Sequence, residues 1–177
     1  GKVIGTEEVE NKTTMLPNVF WNHNMRYGFP LLTLRKMAIN SILVELEAFI
    51  KGITSKKWYQ DRKCKIWDEW ASPTSVQKLA QGKTDRESVK QIQLETDDLG
   101  PIYGSQGRNF NGEDCDQLRT LVETLKNTPN DRRMVVSYWN PNKLHEMALP
   151  PCHYAWNVTV SGEYLNLFWV QRSADFM

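Results

Sequence analysis

Residues 153–170 read HYAWNVTVSGEYLNLFWV, two runs rich in β-branched and aromatic side chains on either side of Ser161-Gly162-Glu163. Such side chains suit a pleated, partly buried surface, and a short glycine-containing turn joins antiparallel neighbours. Strands over 153–160 and 164–170 are therefore predicted, paired as a hairpin. Upstream, MVVSYWN (134–140) has the same character and supplies a further strand. Towards the N-terminus the periodicity changes. Between Thr33 and Gly52 apolar residues fall at 38, 42, 46, 49 and 50, with a threonine cap candidate before them and a glycine stop after them, which predicts a helix. A second helix is predicted from Asp114, where DCDQ resembles a capping box and Leu118, Leu121, Val122 and Leu125 recur at helical spacing. Asn127 to Pro129 ends it. Residues 71–97 (ASPTSVQKLAQGKTDRESVKQIQLETD) are polar, with helical periodicity only around Val76–Leu79 and Val89–Ile92, and are expected as a surface insertion. Helices and strands without regular βαβ spacing indicate a single α+β domain over 1–177.

Composition narrows the function. A chain of 177 residues buries a core without metal or disulfide support. Lys+Arg 22 against Asp+Glu 21 leaves a formal charge of +1, so no global field gathers nucleic acid or an anionic membrane, and a phosphate site has to be local. The three cysteines, Cys64, Cys115 and Cys152, form no CxxC pair, which argues against a disulfide framework or a zinc site and favours a reducing compartment. His23, His145 and His153 show no metal-ligand spacing, and no Walker or GxGxxG loop is present. No metal is expected. The opening GKVIGTEEVENK lacks the apolar run of a signal peptide, and no stretch of about 18 apolar residues occurs, so a cytoplasmic protein without membrane partners is expected. Most of the seven tryptophans are expected in the core.

Several residues stand out chemically. Glu45 lies three residues after Ile42 and four before Phe49, which puts a carboxylate on or beside the buried stripe of its helix. Such a charge needs a partner or a task. Cys152, in PPCH, enters a predicted strand behind two prolines. A lone cysteine is more often a buried structural residue, and its thiol is reactive only where positive charge stabilises the thiolate. Arg132 and Arg133 precede one strand, while Arg172 and Ser173 follow another. Arginine suits bidentate phosphate recognition, although each alone reads as solvated surface charge. Neighbours on a strand point to opposite faces, so His153 is not expected to form a dyad with Cys152.

Taken in order, the segments GFPLLTLRK (28–36), VELEAFIKG (44–52), IWDEWA (66–71), DLGPIYGSQGR (98–108), DRRMVVSYWNPNKLHEMALPPCH (131–153) and LNLFWVQRSAD (165–175) closely resemble the thymidylate synthase family. They are collinear over nearly the whole chain, and the cysteine motif followed by QRSAD is highly specific. The resemblance implies a mixed twisted β-sheet packed against helices, with a sheet face forming a homodimer interface. It implies transfer of a one-carbon unit from 5,10-methylenetetrahydrofolate to C5 of a pyrimidine deoxynucleotide monophosphate, dUMP to dTMP first. A dUMP or dCMP hydroxymethylase, sharing the cysteine step, is the alternative. A non-catalytic nucleotide- or RNA-binding relative is a third class; no obligatory nucleic acid is expected.

The resemblance assigns Cys152 as the nucleophile at C6 of the pyrimidine, Glu45 as organiser of water and proton transfer, and Tyr103 as a participant in proton removal at C5. Arg172 is implied to bind phosphate and support the Cys152 thiolate, with Gln171 beside it and Ser173 adding a phosphate hydrogen bond. Asp175 is implied to order nucleotide and folate. Arg132 and Arg133 match an arginine pair that reaches across a dimer to the partner's nucleotide. Ile66, Trp67 and Trp70 are implied to line the folate pocket, and His153 to join the polar network beside the nucleotide. Three positions depart from the family: Lys12 stands where an arginine begins a glycine-containing phosphate loop, Gly107 replaces a tryptophan, and Asn157 replaces a glutamine. The family continues beyond QRSAD, so the chain is expected to be part of a longer polypeptide.

Overall fold

The computed structural model describes the backbone of residues 2–4 and 13–15, together with residues 16–174; Lys12 and Asp175 lie outside the described residues. The chain divides into two compact units, Gly1–Met37 and Ala38–Met177. In the first, strands β1 (Lys2–Ile4) and β2 (Thr13–Met15) pair antiparallel with Val3 opposite Thr14. A 3-10 turn at Met25–Tyr27 follows, capped by Asn24, whose side chain accepts from the Arg26 N–H.

The second unit begins with helix α1 (Ile39–Lys51). It starts later than the Thr33 cap predicts. Leu34 is 84% exposed, and without apolar surface to bury, a turn at 33–36 has nothing to offset the entropy of ordering it. The predicted stop holds: Gly52 adopts φ 75° and its N–H donates to the carbonyls of Ala48 and Phe49. The buried face of α1, Val44, Ala48 and Phe49, meets α5 (Tyr103–Arg108). A Cβ at Gly104 would lie 3.0 Å from the Ala48 carbonyl oxygen and from Gly52 Cα, so this close crossing requires a glycine.

Short helix α2 (Lys56–Gln60) follows, capped by Ser55. Residues 71–97 fold as two helices, α3 (Pro73–Ala80) and α4 (Arg86–Glu95), at the two fragments where periodicity is visible. Ala71, Ser72, Val76, Ala80 and Thr96 are buried within this segment. Helix α6 (Gln117–Asn127) ends where predicted but begins after Asp116, whose carboxylate accepts from the Arg119 N–H at 2.9 Å. Asp114 instead occupies a left-handed turn, φ 55°.

Three strands complete the unit: β3 (Val135–Ser137), β4 (His153–Ser161) and β5 (Tyr164–Gln171), ordered β3-β4-β5. The predicted hairpin is present, closing at Ser161 opposite Tyr164. The chain is α+β as expected, but the described sheet is antiparallel throughout rather than mixed. One register shift matters for the site. Trp156 pairs with Trp169 and Ala155 with Val170, whereas His153 pairs with Gln171, so an irregularity at Tyr154 advances the register by one residue. Beneath the sheet, Tyr59, Leu99, Ile102, Met134, Val136 and Met147 form the most deeply buried core.

Candidate active site

The shifted register brings Arg172, and not Ser173, beside Cys152. The Arg172 N–H donates to the Cys152 carbonyl at 2.8 Å. Its guanidinium then folds back along the proline turn, with Nε donating to Pro151 O at 2.8 Å and Nη2 to Pro150 O at 2.9 Å. The same Nη2 lies 3.7 Å from Cys152 Sγ. Proline has no N–H, but its carbonyl is a full acceptor, so the double proline presents two anchors to one planar fork. A cation held against sulfur stabilises the thiolate, the nucleophilic form of cysteine. Cys152 is itself half-buried, and its N–H donates to Tyr103 Oη at 2.7 Å.

Tyr103, at the start of α5, is buried, and burial pushes its phenol up to about 12. It stays protonated near neutrality, and since its oxygen accepts from Cys152, its own proton remains available to donate. The His153 ring stacks on Tyr103 (centroids 4.1 Å apart) and on Trp169 (4.7 Å). Burial lowers its pKa to about 4, and Nε2 is buried with no hydrogen-bond partner among the described residues. A buried imidazole whose pKa is lowered to about 4 is a weak base for a neighbouring thiol. The His153 ring also lies against Phe49 and Tyr138, with centroids 5.7 and 5.8 Å away.

Glu45 lies on the face of α1 that carries Phe49 one turn later, and Phe49 packs on Tyr103 at 4.7 Å. The Trp67 indole N–H donates to Glu45 Oε1 at 3.1 Å. Burial raises the Glu45 carboxyl above its ordinary range, and the Trp67 hydrogen bond opposes this. Trp67 is buried, whereas Ile66 and Trp70 are 44% and 39% exposed, so an inward hydrogen bond comes with an apolar surface open to a ligand. Gln171 is exposed and holds Ser173 O at 2.8 Å.

The remaining arginines are elsewhere. Val135 pairs with Asn157, and the Val158 N–H donates to Met134 O, so the chain before β3 runs beside Thr159, away from Cys152. The chain from Cys152, just before β4, to Thr159 spans roughly 20 Å. Arg132 and Arg133 therefore lie at the opposite end of the β3–β4 pair from Cys152. Arg133 forms a two-point ion pair with Asp131, Nε–Oδ1 2.9 Å and Nη2–Oδ2 2.7 Å.

Two departures acquire a structural meaning. Gly107 is buried in α5, and a Cβ there would meet Tyr138 Cε1 at 3.3 Å and Leu118 Cδ1 at 3.6 Å, so the space for a larger side chain is taken by those neighbours. Asn157 is a half-buried residue in mid-β4, between Val135 and Phe168. Sequence reasoning missed the proline carbonyls that hold Arg172, although PPC is the visible signal. It placed Phe49 on the buried stripe four residues from Glu45 but not its packing on Tyr103.

A family model for thymidylate synthase matches residues 5–177. The thymidylate synthase of Mycoplasma genitalium is 43% identical over 159 residues, covering 84% of this chain and 53% of that relative. The chain spans about half the length of this curated relative. The match runs through every element that builds the Cys152–Arg172 corner and the Glu45–Trp67 pair, and the chain belongs to the thymidylate synthase family.

Proposed function

We propose that this chain carries the nucleophilic centre of a thymidylate synthase, a methyltransferase that converts dUMP to dTMP. The observation that carries the proposal is the Arg172 guanidinium, anchored on Pro150 and Pro151 with Nη2 3.7 Å from Cys152 Sγ. A binding module has no need of a cation set against a thiol.

In the proposed reaction the Cys152 thiolate adds to C6 of the pyrimidine, and the C5–C6 electron pair moves towards the O4 carbonyl, making C5 nucleophilic. C5 bonds to the methylene of 5,10-methylenetetrahydrofolate, whose two carbon–nitrogen bonds break in turn, the second as the C5 proton is lost; hydride from the released tetrahydrofolate then reduces the exocyclic methylene to methyl, leaving dihydrofolate. Tyr103 holds the Cys152 main chain and, being protonated, donates a hydrogen bond to the water that takes the C5 proton. Glu45, raised by burial, exchanges protons with water at the pyrimidine carbonyl and folate. Release of the thiolate from C6 restores the double bond. The half-exposed Ile66 and Trp70 beside Trp67 fit a flat pterin ring. Gln171, Arg172 and Ser173, followed by Asp175, are proposed to bind the nucleotide, with Lys12 contributing to its phosphate.

The separation of Arg132 and Arg133 from Cys152 supports a homodimer in which this pair serves the partner's nucleotide. Leu165, Leu167 and Trp169 alternate along β5, and all are exposed, which supports a sheet face as the interface. Among the described residues no helix is long and apolar enough to cross a membrane. The family resemblance, rather than that absence, supports the proposal of a cytoplasmic location.

Incubation of the native full-length protein with dUMP and the folate is the test. Dihydrofolate release with dTMP is expected. Tetrahydrofolate with a hydroxymethylated product, or no turnover, would contradict it.

A further inference from the structure

Lys56, in the first turn of α2, is only 2% exposed. Its ammonium meets four main-chain carbonyls: Gln93 O at 2.9 Å, Leu94 O at 3.0 Å, Trp70 O at 3.1 Å and, more weakly, Asp68 O at 3.4 Å. Two of these close the last turn of α4, where carbonyls lack helical partners and the helix dipole favours a cation. The other two belong to the loop between α2 and α3: one is the carbonyl of the wall residue Trp70 and the other that of Asp68, which follows Trp67. A second strut crosses the same seam, since Gln93 Nε2 donates to Glu69 O at 2.5 Å. The main chain adds to it: the Lys56 N–H donates to Asp97 O at 2.8 Å and the Lys57 N–H to Asp97 Oδ1 at 2.6 Å. Consecutive carbonyls at 68, 69 and 70 are thus all held from Lys56 or α4.

A buried ammonium is costly unless its protons are all satisfied, and here three protons have four acceptors. The effect is to bind the α3–α4 segment to the loop that presses the Trp67 indole onto Glu45. We propose that Lys56 is a positioning residue for the folate wall, transmitting the support of α4 to Trp67 without touching the ligand. The inference rests on the folate role proposed for Ile66, Trp67 and Trp70. It assigns residues 71–97 a task, as the buttress of a binding surface.

The test uses the native full-length protein with four variants, Lys56→Met, Lys56→Arg, Gln93→Ala and Trp67→Ala. Steady-state KM for the folate and for dUMP is measured together with amide hydrogen exchange over residues 66–70. Lys56→Met is expected to raise the folate KM about tenfold while the dUMP KM stays within about twofold, and to speed exchange over 66–70. Lys56→Arg, which keeps the charge and the donors, is expected to recover part of the loss. Should Lys56→Met fail to fold, the half-buried Gln93→Ala decides, with a folate KM raised about threefold and faster exchange in the same loop. Unchanged exchange over 66–70, or folate and dUMP KM rising together, would overturn the role of the seam. If exchange speeds up but Trp67→Ala leaves the folate KM unmoved, the folate role of the wall is what fails, and the positioning of the cosubstrate fails with it.

Discussion

The two ends of the β3–β4 pair hold arginines in opposite ways. At one end, Arg172 is pinned by two proline carbonyls and its own backbone, with one nitrogen turned to the Cys152 sulfur. At the other, Arg133 is 89% exposed, and its partner is an aspartate two residues away in the same loop. A guanidinium whose position is fixed before substrate arrives costs little reorganisation when charge develops beside it. An exposed one exchanges Asp131 for another anion cheaply, because surface ion pairs contribute little. The first arrangement suits chemistry within the chain, and the second suits a ligand brought by another molecule.

The largest expected effect breaks the first arrangement at its centre. Cys152→Ser should lower kcat by about a thousandfold or more, measured as dTMP formation, since the hydroxyl is a far weaker nucleophile near neutrality. Arg172→Lys keeps the charge but loses the fork that spans Pro150 and Pro151. It should lower kcat/KM for the nucleotide about 10–100-fold and slow alkylation of Cys152. At the other end, Arg132→Ala and Cys152→Ala subunits, each inactive alone, should regain about a quarter of native activity when mixed, because half of the dimers then carry one intact site. No recovery would place the arginines in the same site as the cysteine.

Acid separates the two ends more finely. His153 has a folded pKa of about 4 against an unfolded value near 6.5, so between these values only the unfolded chain takes up the proton. Its contribution is fully present above about pH 6.5 and is lost as the pH falls to about 4, on the order of 3 kcal/mol in urea unfolding. His153→Gln should flatten that slope. Asp131 is held at about 2 by Arg133, below the ordinary carboxylate value. Its small contribution is present above about pH 4 and is lost only as the pH falls through about 2, so Asp131→Asn should leave the curve between pH 4 and 7 unchanged.

Local chemistry made much of this legible in the sequence. The β4–β5 hairpin follows from alternating β-branched and aromatic runs around Gly162, and the end of α1 from Gly52. Cys152 and Arg172 are recognisable as types at a spacing, but their contact depends on a one-residue register shift at Tyr154 that no local signal announces. Helices α3 and α4 are short, and their periodicity marks only the fragments Val76–Leu79 and Val89–Ile92 rather than their full lengths. Lys56 was invisible for a different reason. A lysine in the pair Lys56-Lys57 reads as solvated charge, and only the packing of α4 across the loop turns it into a buried anchor. The placement of Arg132 and Arg133 likewise follows from strand pairing, which is nonlocal.

The most direct test of the nucleophile traps the covalent step. A dUMP analogue with fluorine at C5 has no proton there to lose, so the reaction should stall once both new bonds at C5 and C6 are formed. Incubated with the analogue and the folate, the native full-length protein should gain the mass of nucleotide and folate together, located by peptide mapping on Cys152, and Cys152→Ser should gain nothing. An unmodified native protein, or the same adduct on Cys152→Ser, would contradict the assignment.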